Sequence, residues 1–258
     1  MIVTGDLLDE SGFPTVELAD LAGIRELRKK DRVRVLINDY TPGLASRGAE
    51  DGPVYGFEID MARSLARAIY GNTQDVDSHI EFVEAANAEK IDMLVDNHVD
   101  LIIANLTDTV ERRQKIDFAG HYVSMRFAPY LGPNSPDVNT VDDLAGLTIG
   151  AEAGSMDEAV LRSVAKDSEI VPMSSTQEWI DTYDSGRVQA YWGDTLVGSS
   201  YLRTPGSFVR QGQFKAGVGH SAVGVSKNHS DLSRMVNAYM AHMLSTGSLT
   251  RSLRKWGL

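Results

Sequence analysis

From Ala104 to Arg113 the chain reads Ala-Asn-Leu-Thr-Asp-Thr-Val-Glu-Arg-Arg, directly after an apolar run over 99–105. In open α/β sheets ligands bind in the crevice outside the carboxyl ends of strands. Thr109 or Asp108 followed by Glu111 has the form of a helix N-cap, whose outward N–H groups favour an anion. Arg112 in the same turn offers a planar fork suited to a carboxylate. An ordinary capped helix with solvated arginines fits that segment equally well. A second strand end, Gly150-Ala-Glu-Ala-Gly154-Ser155-Met-Asp157, again joins a glycine turn to a helix start that Ser155 caps. The third is Trp192-Gly193-Asp194-Thr195, where Asp194 is placed to receive an ammonium group or, more plainly, to cap a turn.

Other chemistries lack their residues. The chain has no GxSxG elbow, no HExxH and no GxxxxGK[ST] phosphate loop. Gly217-Val-Gly219-His-Ser-Ala222 matches GxGxxA but leads into an apolar strand instead of opening a helix, so it is read as a turn. The six histidines (His79, His98, His121, His220, His229 and His242) are scattered without ligand spacing, and no metal or cofactor is expected. The absence of cysteine removes disulfides, thiol nucleophiles and sulfur-bound metals together. With 25 Lys+Arg against 36 Asp+Glu the net charge is −11, which repels phosphate backbones and argues against nucleic acid or anionic lipid as partner.

The elements that hold these segments alternate between strand and helix. Leu18, Leu21, Ile24 and Leu27 space a short amphipathic helix over 16–30, preceded by a polar arm at 1–18. A strand at 32–37, a loop at 39–56, a helix at 58–69, a strand at 80–83, a helix at 88–96 and a buried strand at 99–105 follow. After Pro133 the rhythm restarts: strands at 148–151, 169–173 and 188–193 alternate with helices at 155–166 and 176–185. A strand at 223–226 and two helices within 231–254, separated near Gly247, close the chain. This is an α/β protein with two lobes joined near 123–132. No stretch reaches the roughly 18 consecutive apolar residues of a membrane span. The N-terminal MIVTGDLLDESGFP has neither the basic nor the apolar region of a signal peptide.

Taken in order, these segments resemble the family-3 extracytoplasmic solute-binding proteins of polar amino-acid ABC transporters. The resemblance runs from about Leu27 to Leu258. It rests on RVRVLI, YGFEIDMARSLARAIYGN (55–72), VDLIIANLTDTVERRQKIDFAGHY (99–122), VDDLAGLTIGAEAGS (141–155), DSGRVQAYWGD (184–194) and the terminal KWGL. The stretch from Tyr55 to Asn72 is most similar to the glutamate/aspartate-binding branch, and the implied ligands rank glutamate or aspartate first, glutamine second and basic amino acids third.

The resemblance implies a type II periplasmic-binding-protein-like fold, two α/β lobes on a two-strand hinge near 123–131 and 220–225. The expected division is an arm and helix start at 1–26, lobe one at 27–126 and 222–258, and lobe two at 127–221. It implies that Arg112 clamps an α-carboxylate with Thr107 and the Asn105 backbone, that Ser155 and the Met156 N–H assist, and that Asp194 binds the α-ammonium. Lys90 stands where acidic-ligand members carry arginine; it keeps the charge but not the bidentate fork. Asn87, Asn38 and Tyr40 are further candidates beside the ligand, while Asp39 and Glu152 would suit a basic one. The implied role is capture of glutamate, aspartate or glutamine by a monomer that serves an ABC permease from the periplasm or cell surface, the native leader being absent from this chain. The same fold serves cyclohexadienyl dehydratases, for which Asp157 or Glu158 would be the general acid, and sensor domains of larger receptors.

Overall fold

The computed structural model describes residues 22–48, 52–71, 75–203 and 208–258. The polar arm expected at 1–18 and the start of the first helix lie outside the described residues. The chain divides into two compact units: unit one holds the residues up to Ala85, Glu89–Val123 and His220–Leu258, and unit two holds Ala86–Ala88 and Ser124–Gly219.

Unit one begins with α1 (Ala22–Lys29) and β1 (Val33–Ile37). The segment 39–56, expected as a loop, instead forms β2 (Tyr40–Thr41), β3 (Ala45–Arg47) and β4 (Val54–Tyr55), a small antiparallel sheet. Then come α2 (Phe57–Tyr70), β5 (Ile80–Glu84), α3 (Lys90–Val95), β6 (Leu101–Ile102) and α4 (Arg112–Lys115). β6 is much shorter than the apolar run over 99–105 suggested, because residues from Ala104 onward turn away to form the candidate loop. β7 (Asp117–Leu131) carries the chain into unit two.

There β8 (Thr148–Glu152), α5 (Met156–Val164), β9 (Glu169–Met173), α6 (Thr176–Thr182), β10 (Ala190–Asp194), α7 (Thr195–Leu202) and β11 (Arg210–Gln211) follow. β12 (Ala216–Val225) leads back to unit one, which α8 (Ser230–Ser245) and α9 (Ser248–Lys255) complete.

In unit one β1 lies between β5 and β6, parallel to both, and β12 adds antiparallel to β6 through Gly224–Ile102 and Val225–Leu101. The uniformly apolar Val35-Leu36-Ile37 is buried, as a strand covered on both faces must be. In unit two β8 lies between β10 and β9, parallel to both, and β7 pairs antiparallel with β10. One side of unit two packs Ile149, Leu161 and Trp192 together; the other packs Trp179 against Tyr183 and Tyr191.

α2 buries Ile59, Ala62, Leu65, Ala66 and Ile69, the face its spacing predicts. It starts at Gly56, whose φ of 137° lies in the region open to glycine. A Cβ there would sit 2.2 Å from the Leu44 carbonyl oxygen, which itself accepts the Glu58 N–H at 2.9 Å. Gly56→Ala is therefore expected to cost about 2–4 kcal/mol and to lower the thermal midpoint by at least about 5 °C. A melting curve that overlays the wild type would contradict this.

Asp100 ties the start of β6 to β1. Its carboxylate accepts from the Arg34 N–H at 2.9 Å, from Arg34 Nη2 at 2.9 Å and from Lys30 Nζ at 3.1 Å. Burial would raise its pKa, but these donors outweigh burial and hold it below the usual carboxylate range. A depressed folded pKa contributes stability that is present above the unfolded value of about 3.9 and is lost as pH falls through the folded one. Urea unfolding at pH 7, 4 and 3 should show this loss, and Asp100→Asn should flatten the acid limb while lowering stability at pH 7.

Candidate functional site

In unit one the loop after β6 is held from several directions. Asn105 adopts a left-handed conformation with φ of 48°, which asparagine tolerates better than most residues. Its N–H donates to Glu58 Oε1 at 2.7 Å, and its Oδ1 accepts from Ser221 Oγ at 2.6 Å. Thr107 is buried and bridges antiparallel to Ser221. On either side of it, the Leu106 carbonyl accepts the Ala222 N–H at 3.1 Å and the Asp108 N–H donates to the His220 carbonyl at 2.9 Å. β12 thus fixes the loop's path through its backbone.

Arg112 opens α4, and Thr109 Oγ1 accepts its N–H at 3.2 Å; the N-cap position itself falls on Glu111, whose side chain makes no capping bond, and not on Thr109 or Asp108 as the spacing suggested. Arg112 Nη1 donates to the Thr107 carbonyl at 2.8 Å, so the guanidinium folds back over the loop and stays half-buried. The neighbouring Arg113 forms an ion pair with Asp108, which also meets His121 Nε2 at 2.7 Å. Burial raises the Asp108 pKa, but Arg113 and His121 outweigh it and hold the carboxyl low. The two adjacent arginines therefore have different surroundings.

Lys90 opens α3 and is buried, 1% exposed, with its ammonium donating to Asn38 Oδ1. Asn38 Nδ2 in turn donates to the Ala104 carbonyl at 3.3 Å. Tyr40 lies on β2, more than one-third exposed. Asp39 pairs with Arg47.

In unit two Ser155 caps α5: its Oγ accepts the Glu158 N–H at 3.1 Å and donates to the Glu152 carbonyl at 2.6 Å. Met156 is the first residue of α5, where a backbone N–H has no acceptor within the helix. Asn87 Nδ2 donates to Glu152 Oε1 at 2.6 Å, beside the same turn. Asp194 ends β10 and is buried; its Oδ1 accepts the N–H groups of Leu196 and Val197, both at 2.8 Å, capping α7. The plain capping role is thus present.

Glu158 bears on the acid-catalysis reading. Burial would raise its pKa, but Arg162 and the Gly154 N–H outweigh burial and lower it. A general acid at neutral pH needs the opposite shift. Among the described residues no cluster of three or more His, Cys, Asp or Glu side chains forms a metal site, and no helix is long and apolar enough to cross a membrane.

Residues 33–258 match the family described as bacterial extracellular solute-binding proteins, family 3. The chain belongs to that family. This solute-binding protein is 29% identical to the glutamine-binding protein of Geobacillus stearothermophilus over 73% of its own length and 71% of the relative's. It is 24% identical to the L-cystine-binding protein TcyJ of Escherichia coli K12, with 95% and 90% covered. The structure of a solute receptor for L-cysteine from Neisseria gonorrhoeae superposes with a TM-score of 0.81 at 24% identity, covering 91% of this chain and 93% of that one. The fold of this solute-binding protein is accordingly the two-lobed type II arrangement of amino-acid-binding proteins, and its curated relatives carry the names of binding proteins.

Within that family frame the structure gathers Asn38, Lys90, Asn105, Thr107 and Arg112 in unit one. It places Asn87, Ser155 and Met156 around one turn of unit two, and Asp194 at the end of β10. Sequence reading missed Glu58, Tyr122 and Ser221. Only the position of Glu58 in the first turn of α2 hinted at anything, and there an acid is ordinarily read as a partner of the helix dipole.

Proposed function

We propose that this protein captures a free polar amino acid of the glutamine–glutamate–aspartate class by lobe closure and delivers it to an ABC permease, acting as an extracytoplasmic monomer. The observation that carries the reading is the pair of opposite charges at strand ends of the two units, Arg112 after β6 and Asp194 at the end of β10, in a chain of this family. A zwitterion asks for one cation, one anion and oriented backbone dipoles. Arg112 takes the α-carboxylate with help from Thr107, and Asp194 takes the α-ammonium, with Ser155 and the Met156 N–H assisting. Glutamine moves ahead of the acidic ligands for two reasons: the Lys90 ammonium is engaged by Asn38, and a glutamine-binding relative is 29% identical to this chain over 192 aligned residues. Closure on the ligand is the change of shape that a permease would recognise.

A thermal-shift screen against the twenty amino acids tests the reading. A ligand at about 100 times its Kd adds roughly 2.7 kcal/mol, which at this size raises the midpoint by several degrees. Glutamine, glutamate and aspartate should respond most strongly. Silence from all twenty would refute amino-acid capture.

A further inference from the structure

Glu58 and Lys90 are the most deeply buried charged residues described in unit one, at 0% and 1% exposure. Burying a charged side chain is costly unless hydrogen bonds compensate it. Both converge on the same peptide unit, the one joining Ala104 to Asn105. Its N–H donates to Glu58 Oε1 at 2.7 Å, and that same oxygen accepts the Tyr122 hydroxyl. Its carbonyl accepts Asn38 Nδ2 at 3.3 Å, and Asn38 Oδ1 accepts the Lys90 ammonium. The positive end of the peptide dipole therefore faces a buried carboxyl. The negative end faces a buried ammonium through one intervening amide dipole, aligned in series with the peptide. Such chains strengthen one another in a low-dielectric interior. The clamped peptide immediately precedes the left-handed turn at Asn105, and that turn sets the direction of the backbone leading to Thr107 and Arg112.

We propose that Glu58 and Lys90 are positioning residues: acting from opposite ends of the 104–105 peptide, they fix the turn that presents Thr107 and Arg112, and neither touches the ligand. This rests on the amino-acid-binding reading above and gives Lys90 a different task from reading the ligand's side chain. Because the clamp acts on the part of the site common to all amino acids, its loss weakens every ligand by one factor.

The test is calorimetric titration of wild-type protein, Glu58→Gln and Lys90→Met with L-glutamine, L-glutamate and L-arginine, each well below the thermal midpoint. Every amino acid the wild type binds should lose about tenfold to a hundredfold in affinity in both variants, with the order of preference kept. A changed order in Lys90→Met would show that Lys90 reads side chains and overturn the proposal. So would a lowered melting temperature with unchanged Kd, the signature of a purely structural role. The two failures are distinct: wild-type protein that binds none of the twenty amino acids refutes the amino-acid reading, whereas reordered or unaffected variants refute the clamp. If a variant does not fold, the wild-type Asn105 amide proton decides. Hydrogen-bonded to a buried carboxyl, it should resonate downfield and exchange slowly with solvent; fast exchange overturns the clamp.

Discussion

Arg112→Ala is expected to abolish the response to amino acids, with affinity falling at least about a hundredfold. The substitution removes the cation assigned to the α-carboxylate, a group every amino acid carries, so all ligands should be lost together. Folding should survive. Arg112 is half-buried, it sits at the head of a four-residue helix, and its Nη1 donates a hydrogen bond to the Thr107 carbonyl. That bond contributes about 1 kcal/mol, which moves the melting temperature by only a few degrees. Arg112→Lys refines the result: it keeps the charge but replaces the two-pronged fork with a point donor, and should bind with intermediate affinity. Titration calorimetry on both variants, beside their melting curves, checks the set. An alanine variant that binds normally would move the site elsewhere on the molecule.

Asp194 caps α7 and is proposed to hold the α-ammonium, and a pair of substitutions separates the two roles. Asparagine caps helices about as well as aspartate, so Asp194→Asn should keep the hold on the Leu196 and Val197 N–H groups and leave the melting temperature nearly unchanged. It removes the negative charge proposed for the α-ammonium, and affinity should fall about tenfold to a hundredfold. Asp194→Ala removes the cap as well, adding a loss of about 1 kcal/mol in stability. The informative comparison is melting temperature against Kd across the two variants. Equal affinity in Asp194→Asn and wild type would reduce Asp194 to a cap.

The two α/β lobes were legible because strand and helix periodicities alternate and because buried parallel strands read as continuous apolar runs. Strand-end logic also singled out Arg112, in the segment after β6, and Asp194, at the end of β10. What stayed hidden depended on distant partners or on weak local signals. α7, Thr-Leu-Val-Gly-Ser-Ser-Tyr-Leu, has almost no apolar face distinct from a polar one, and its start is visible only once Asp194 is seen to cap it. The strands at 40–41, 45–47 and 54–55 are too short for periodicity to register. Glu58 reads locally as a solvent-side acid at a helix start. Its burial follows from contacts with Asn105 and Tyr122, far along the chain, which no local pattern announces.

The double crossing by β7 and β12 decides which contacts are local in the chain and which are long-range. Residues 124–219 of unit two form one uninterrupted block, whereas unit one is interrupted by that block. β6 gains its neighbour β12 only through Leu101–Val225 and Ile102–Gly224, across the whole insert. Ser221, which grips Asn105, lies beyond the same insert. The loop carrying Arg112 thus depends on a strand far later in the chain, and contacts of such wide sequence separation are slow to close. Unit two is therefore built almost wholly from one continuous block, whereas the loop after β6 is secured only by a long-range contact.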